Sequence, residues 1–187
     1  MKNLTFAMLL VALSFTFLFA GSQPAFAEEI TCTGTLGPIT VDNVLVPDGA
    51  TCTLFRTTVE GTVNVGTGST LRAFDVAVNG NIQAEGAAKV WVILGSVGGS
   101  IQHVQGGTAL IDRVAITGDI LLDDNDASLN VRRNTVNGNV QVFQNEGGVA
   151  IYQNVIDANL QCLANTPAPV GGGNIVQGEK QDQCEDL

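Results

Sequence analysis

The chain has 187 residues, with 18 acidic against 8 basic side chains and a formal charge of −10. That balance argues against nucleic acid and against anionic membrane surfaces as partners. Only 14% of residues are charged and 22 are Gly, a composition that suits apolar rungs joined by tight corners.

Residues 1–27 read as an export signal. Lys2 supplies a positive n-region, Leu4 to Ala20 is apolar, and Ala25-Phe26-Ala27 is a small-x-small cleavage site. Cleavage is expected before Glu28. No Cys precedes Cys32, so a lipoprotein site is absent. Loss of Lys2 leaves seven basic against eighteen acidic residues, a charge near −11. No later segment is long and apolar enough to span a bilayer. The expected location is secreted or periplasmic, where the four cysteines should be oxidised. Residues 28–40 are expected to form an N-terminal cap segment, and 41–187 a single domain.

From there the chain repeats. A branched aliphatic stands two residues before, and another two residues after, a glycine or small residue. The units are Val59-Glu60-Gly61-Thr62-Val63, Val78-Asn79-Gly80-Asn81-Ile82 and Val97-Gly98-Gly99-Ser100-Ile101. They continue as Ile116-Thr117-Gly118-Asp119-Ile120, Val136-Asn137-Gly138-Asn139-Val140 and Ile156-Asp157-Ala158-Asn159-Leu160. Their centres, 61, 80, 99, 118, 138 and 158, are spaced 19, 19, 19, 20 and 20. Fading copies flank them, centred on Asp42 and Gly178. Such a period is the mark of a solenoid.

Within each unit, positions −2, +2 and +4 are apolar and alternate with polar ones, as one face of a strand requires. Position +1 is polar throughout: Asn43, Thr62, Asn81, Ser100, Asp119, Asn139 and Asn159. About ten residues on, a second strand points inward through Cys52 and Leu54, Leu71 and Ala73, Val90 and Val92, Ala109 and Ile111, Leu129 and Val131, then Val149 and Ile151. Turn residues separate the two strands. The expected fold is all-β, a single-domain parallel β-helix, right-handed, with about seven coils of 19–20 residues. A left-handed hexapeptide helix would need a period of six, which the second strand breaks. The Leu-x-x-Leu-x-Leu frame of leucine-rich repeats is absent. Asn134, Asn154 and Asn174 recur at −4, and such a ladder can satisfy corner backbone along the rod.

Four cysteines allow three pairings. Equivalent positions in adjacent coils lie close together, so the coil register selects Cys32–Cys52, 20 apart, and Cys162–Cys184, 22 apart. Each bond would staple a terminal coil, where a solenoid frays first.

The stretch Asn159-Leu160-Gln161-Cys162, Asn165-Thr166-Pro167-Ala168-Pro169, Gly171-Gly172-Gly173-Asn174 and the closing Cys184 resembles the C-terminus of small secreted bacterial β-helix proteins. The resemblance extends loosely over 31–187 and implies an exported bacterial protein, with no activity attached. The Val-x-Gly-x-Val rhythm is similar in period to that of bactofilins, cytoskeletal polymers of parallel β-helices. The export signal and the disulfides depart from that pattern.

Three constellations carry candidate chemistry. The first is the acidic turn Asp123-Asp124-Asn125-Asp126, with Asp119 on the adjoining strand and Glu146 one coil on. Asp119, Asp124, Asp126 and Glu146 offer oxygen ligands for calcium, or an acid and a base for a sugar. Their spacing matches neither the EF-hand nor the Gly-Gly-x-Gly-x-Asp repeat, and acidic corners are commonly just solvated. The second comprises Arg132 and Arg133, with Arg113 one coil away, as contacts for an anionic sugar. Asp112 should stack beside Arg132, which makes a surface ion pair the plainer reading. The third is Val90-Trp91-Val92-Ile93-Leu94. Its alternation turns Trp91 and Ile93 outward, in columns shared with Phe55, Phe74 and Leu110. Such an apolar stripe needs a cover: the segment before Val41, a second subunit or partner, or a sugar stacked on the rings. His103 falls at an inward position and reads as a hydrogen-bonded core residue. Thr51, Thr70 and Thr108 recur in register, but Lys89 interrupts a flat threonine array of the ice-binding kind.

With regular coils and no convergent catalytic group, the expectation is an exported, non-enzymatic structural, adhesion or envelope/matrix protein. It would associate with itself or with an envelope or glycan partner. The alternative is a carbohydrate-binding or polysaccharide-degrading protein that uses the acidic corner and the adjacent arginines.

Overall fold

The computed structural model describes residues 28–187, so the expected export signal and its cleavage site lie outside the described residues. Every regular element among the described residues is a strand, and successive coils pair in parallel. One sheet holds nine strands, from Glu29–Thr31 to Lys180–Asp182, each hydrogen-bonded to its equivalent one coil away. Nine such strands mark eight turns of a β-solenoid, one more than the spacing predicts. A second sheet runs from Thr35–Leu36 to Val170–Gly172, and short strands such as Val155–Ile156 extend it onto a third side.

The extra turn comes from residues 28–41. Glu29–Thr31 pairs with Asn43–Val46, Thr35–Leu36 with Thr51–Phe55, and Thr40–Val41 with Thr58–Val59. The segment expected as a cap is therefore a coil in its own right, stacked on the end of the rod. Val41 pairs with Val59, 18 residues on, so Val41 and not Thr40 points inward. That one-residue shortening explains why this copy fades in the sequence.

The core follows the alternation. Val63, Ile82, Ile101, Ile120, Val140 and Leu160 stack in one fully buried column. Leu54, Ala73, Val92, Ile111, Val131 and Ile151 form another. Burying one such aliphatic contributes about 1.5–3 kcal/mol, and a coil closes its core only against its neighbours.

The corners are held by polar ladders. Asn134 Nδ2 donates to the Ile111 carbonyl and to Asn154 Oδ1, and Asn154 repeats the pattern onto Val131 and Asn174. A second ladder at the opposite corner runs Asn125, Asn145, Asn165 and ends on Gln183. The +1 residues form a third. Asn43, Thr62, Asn81, Ser100, Asp119, Asn139 and Asn159 each accept the backbone N–H of the next coil. These side chains are half-buried and committed, where the alternation alone assigned them to the outer face. From the second coil on, the chain turns through a left-handed residue at two corners; Arg133 (φ 57) and Gln153 (φ 57) precede Asn134 and Asn154, and Asp124 (φ 55) precedes Asn125. At Gly95 (φ 104) a Cβ would collide with the Val76 backbone, so only glycine fits there.

Both disulfides form as the coil register requires: Cys32–Cys52 with Cα atoms 5.4 Å apart and Cys162–Cys184 at 5.3 Å.

Candidate functional site

The outer face of the second sheet gathers the residues that the fold does not consume. Three outward columns run along it. The first is Thr51, Thr70, Lys89 and Thr108. The second is Thr53, Arg72, Trp91, Leu110 and Asn130, and the third is Phe55, Phe74, Ile93, Asp112, Arg132 and Tyr152. Beside the third lies the left-handed corner, with Arg56, Asp75, Leu94, Arg113 and Arg133.

Phe55, Phe74, Trp91, Ile93 and Leu110 thus come together in two adjacent columns, as the alternation predicts. Phe55 is 49% exposed and Leu94, at the corner after Ile93, 41%, while Phe74, Trp91, Ile93 and Leu110 are half-buried. Residues 28–40 do not lie across them, because they are spent on the first coil. The Lys89 ammonium sits 4.6 Å over the Trp91 ring, a cation–π contact. The buried Nε1–H of Trp91 has no acceptor.

Asp112 follows Ile93 in the third column and points outward, yet it is 2% exposed. Three arginines bury it. Arg133 donates from Nε to Oδ1 at 2.9 Å and from Nη2 to Oδ2 at 2.6 Å. Arg113 and Arg132 each approach Oδ2 at 3.6 Å. The hydrogen bonds that Arg133 donates to Asp112 push its guanidinium above the usual range. Arg132 is the residue in register with Asp112, as expected, but the left-handed backbone at Arg133 aims that fork at the carboxylate instead. The pair is therefore partly buried rather than a plain surface contact. All three arginines keep 44–50% of their side-chain surface exposed.

Charge is segregated on the molecule. Arg56, Arg72, Lys89, Arg113, Arg132 and Arg133 all lie on this face, leaving Lys180 as the other cation among the described residues. Only Asp75 and Asp112 of the eighteen carboxylates accompany them. Asp75 pairs with Arg56 at 3.4 Å. Sequence reasoning found Arg113, Arg132 and Arg133 but missed Arg56, Arg72 and Lys89. The 19-residue register is the signal that identifies them: it sets Arg72 in the column of Trp91, Lys89 in that of Thr70 and Thr108, and Arg56 at the corner of Leu94 and Arg113.

The acidic corner does not assemble. Asp119 precedes the strand Ile120–Asp123 and Asp124 follows it, so the strand's length separates them. Asp119 Oδ1 accepts from the backbone and side chain of Asn139. Asp124 accepts from Gln105 Nε2 at 3.3 Å, and Asn125 between Asp124 and Asp126 turns inward to its ladder. Asp126 and Glu146 stand at equivalent exposed positions of adjacent coils. Among the described residues no three acidic, His or Cys side chains converge as a metal would require.

His103 is wholly buried in the column between Ala84 and Leu122. Its Nε2 lies 3.1 Å from the Gly107 carbonyl, which can only accept, so the ring proton sits on Nε2. Nδ1 has no partner. Burial lowers its affinity for a second proton, against the opposing pull of that carbonyl and of Asp126. A Cβ on Gly106 would strike the ring. On the first sheet a shallow groove of about 460 Å³ is lined by Leu45, Asn64, Gln83, Glu85, Gln102 and Val104, without a nucleophile beside a base.

Comparison with family models, with curated proteins and with solved structures returns no match.

Proposed function

We propose that the protein is an exported, non-catalytic scaffold of the envelope or extracellular matrix, a rod that docks a partner on the outer face of its second sheet. The observation that carries this reading is the division of labour among polar side chains. Asp119 and the ladder asparagines are used up in holding coils together, and His103 is enclosed in the core with its bond to Gly107 in the same coil. The cations and four of the aromatic and large aliphatic side chains, Phe55, Phe74, Trp91 and Ile93, share one uncovered face. A contiguous apolar stripe on an outer sheet face is the ordinary mark of a docking surface. Two disulfides at the rod's ends fit an oxidising compartment.

Two measurements test it. Cells that export the protein should retain it in the envelope or matrix fraction, and Trp91→Glu should release it to the medium. Acidic and neutral polysaccharides incubated with the protein should yield no new reducing ends. Turnover abolished by Asp124→Ala or Arg133→Ala would overturn the non-catalytic reading, and retention unaffected by Trp91→Glu would remove the docking face.

A further inference from the structure

Resting on that docking-face reading, we infer that the partner is an acidic polysaccharide, a chain of sugars each carrying a carboxylate, lying along the rod axis. The first support is spacing. Arg56, Arg72, Lys89, Arg113 and the Arg132–Arg133 pair come from five successive coils. Coils repeat at about 4.8 Å, so the face presents a cation per coil over about 19 Å of rod, staggered across the sheet from the first column at Lys89 to the left-handed corner at Arg56, Arg113 and Arg133. A flexible linear polymer with a carboxylate on every ring can reach these staggered cations through their long side chains. Duplex nucleic acid carries a phosphate charge about every 1.7 Å, far denser than this.

The second support is the arrangement at Asp112. One carboxylate faces three guanidiniums, so the cluster keeps positive charge in excess. Arg133 spends Nε and Nη2 on Asp112 and keeps its other N–H donors. Asp112 holds the fork still, which removes part of the ordering cost of bidentate carboxylate recognition. Arg113 and Arg132 flank it at half exposure.

The third is the company the cations keep. Phe55, Phe74 and Trp91 lie in the same or the neighbouring column, and flat rings present an apolar face on which a pyranose can stack. The Thr51, Thr70 and Thr108 hydroxyls line the far column and can bond sugar hydroxyls. A second copy of the chain fits less well. Its carboxylates are spread over several corners, among them Glu60, Asp126, Glu146 and Asp157, and form no facing stripe.

The test is calorimetric titration of the protein with sodium polygalacturonate, at low and at physiological salt. Dextran serves as the neutral control and a single-stranded DNA oligomer as the competing polyanion. Among the described residues the side chains of Arg72 and Lys89 make no hydrogen bond or ion pair, and Lys89 contributes only its cation–π contact with Trp91, so Arg72→Glu/Lys89→Glu should stay folded with its melting temperature lowered by little. Expected are binding of polygalacturonate at low salt, weakening as salt rises, no binding of dextran, and a loss of about tenfold or more in the double variant with a shallower salt dependence. Absence of polygalacturonate binding at low salt would overturn the inference, as would equal affinity for dextran, unchanged affinity in the double variant, or tighter binding of the DNA oligomer. Self-association that the double variant abolishes, with no polysaccharide bound, would assign the face to a second copy. Failure here with envelope retention still lost in Trp91→Glu would remove the ligand and leave the docking face standing.

Discussion

Arg133 reaches back a full coil to Asp112, 21 residues earlier, and grips both carboxylate oxygens, at 2.9 and 2.6 Å. The grip depends on the left-handed backbone at Arg133, a conformation that L side chains adopt at a cost. The same corner is left-handed at Arg56, Asp75, Leu94, Arg113 and Gln153, so the backbone cost belongs to the coil, and at Arg133 the corner also satisfies a carboxylate that the surrounding arginines have taken out of water. Arg133→Ala should therefore lower the urea midpoint more than Arg113→Ala, which removes only a 3.6 Å contact. Combined with Asp112→Ala it should cost less than the two single changes together, because the pair acts as one unit. Strict additivity in that double-mutant cycle would show that the contact contributes nothing.

The asparagine ladders give a position-dependent expectation. Asn145 donates to the Leu122 carbonyl and to Asn165, and accepts the backbone N–H and side-chain amide of Asn125. Asn145→Ala strands several of these buried groups, each worth about 1–3 kcal/mol when left unpaired. Asn174 is the last of its own ladder and 7% exposed, so water can replace part of what it supplies. Chemical denaturation should rank Asn145→Ala well below Asn174→Ala in stability. Equal losses would mean that the ladder adds nothing beyond one corner bond.

Much of this fold is legible in the sequence because a solenoid repeats its constraints. The inward columns, the outward placement of Trp91 and Ile93 and both disulfides follow from a 19–20 residue period and strand alternation. The first coil escapes because its 18-residue register displaces Val41 by one. Asn125, Asn145 and Asn165 escape because Asn125 sits among Asp123, Asp124 and Asp126, where an acidic cluster draws the eye. The left-handed turn at Asp124 sends its neighbour Asn125 inward while the side chains of Asp124 and Asp126 stay exposed. The burial of Asp112 was hidden because alternation assigns only a face. Three arginines folding over an outward carboxylate is a side-chain event that no period encodes.

Protonation of His103 should leave a signature in stability against pH. Burial holds its folded pKa below the ordinary value near 6.5. Above that value both states are neutral and the residue contributes no slope. As pH falls below about 6.5 the unfolded chain takes up a proton that the folded chain refuses, so stability declines until the folded pKa is reached. Leu122 occupies the next rung of the same column, which makes His103→Leu a reasonable fit. The decline in urea midpoint between about pH 7 and pH 5.5 should flatten in His103→Leu. A decline of the same size in the variant would assign the effect to other groups.

The disulfides should act on the ends of the rod and not on its middle. Cys32–Cys52 ties the first coil to the second, and Cys162–Cys184 ties the last strand of the first sheet to the coil before it. Closing loops of this size constrains the unfolded chain by about 3 kcal/mol each. A solenoid, however, opens from its termini, since an end coil has a neighbour on one side only. Cys32→Ala/Cys52→Ala should then speed amide hydrogen exchange in Glu29–Thr31 and Thr40–Val41, whose partners lie on a single side. Exchange in Lys89–Val97, paired on both sides, should change little under native conditions. Non-reducing peptide mapping of the unaltered protein should first show Cys32 joined to Cys52 and Cys162 to Cys184. A Cys52–Cys162 link would break the coil register itself. Faster exchange spread evenly over every coil of the double variant would mean that the rod melts as one unit and that its ends hold no separate weakness.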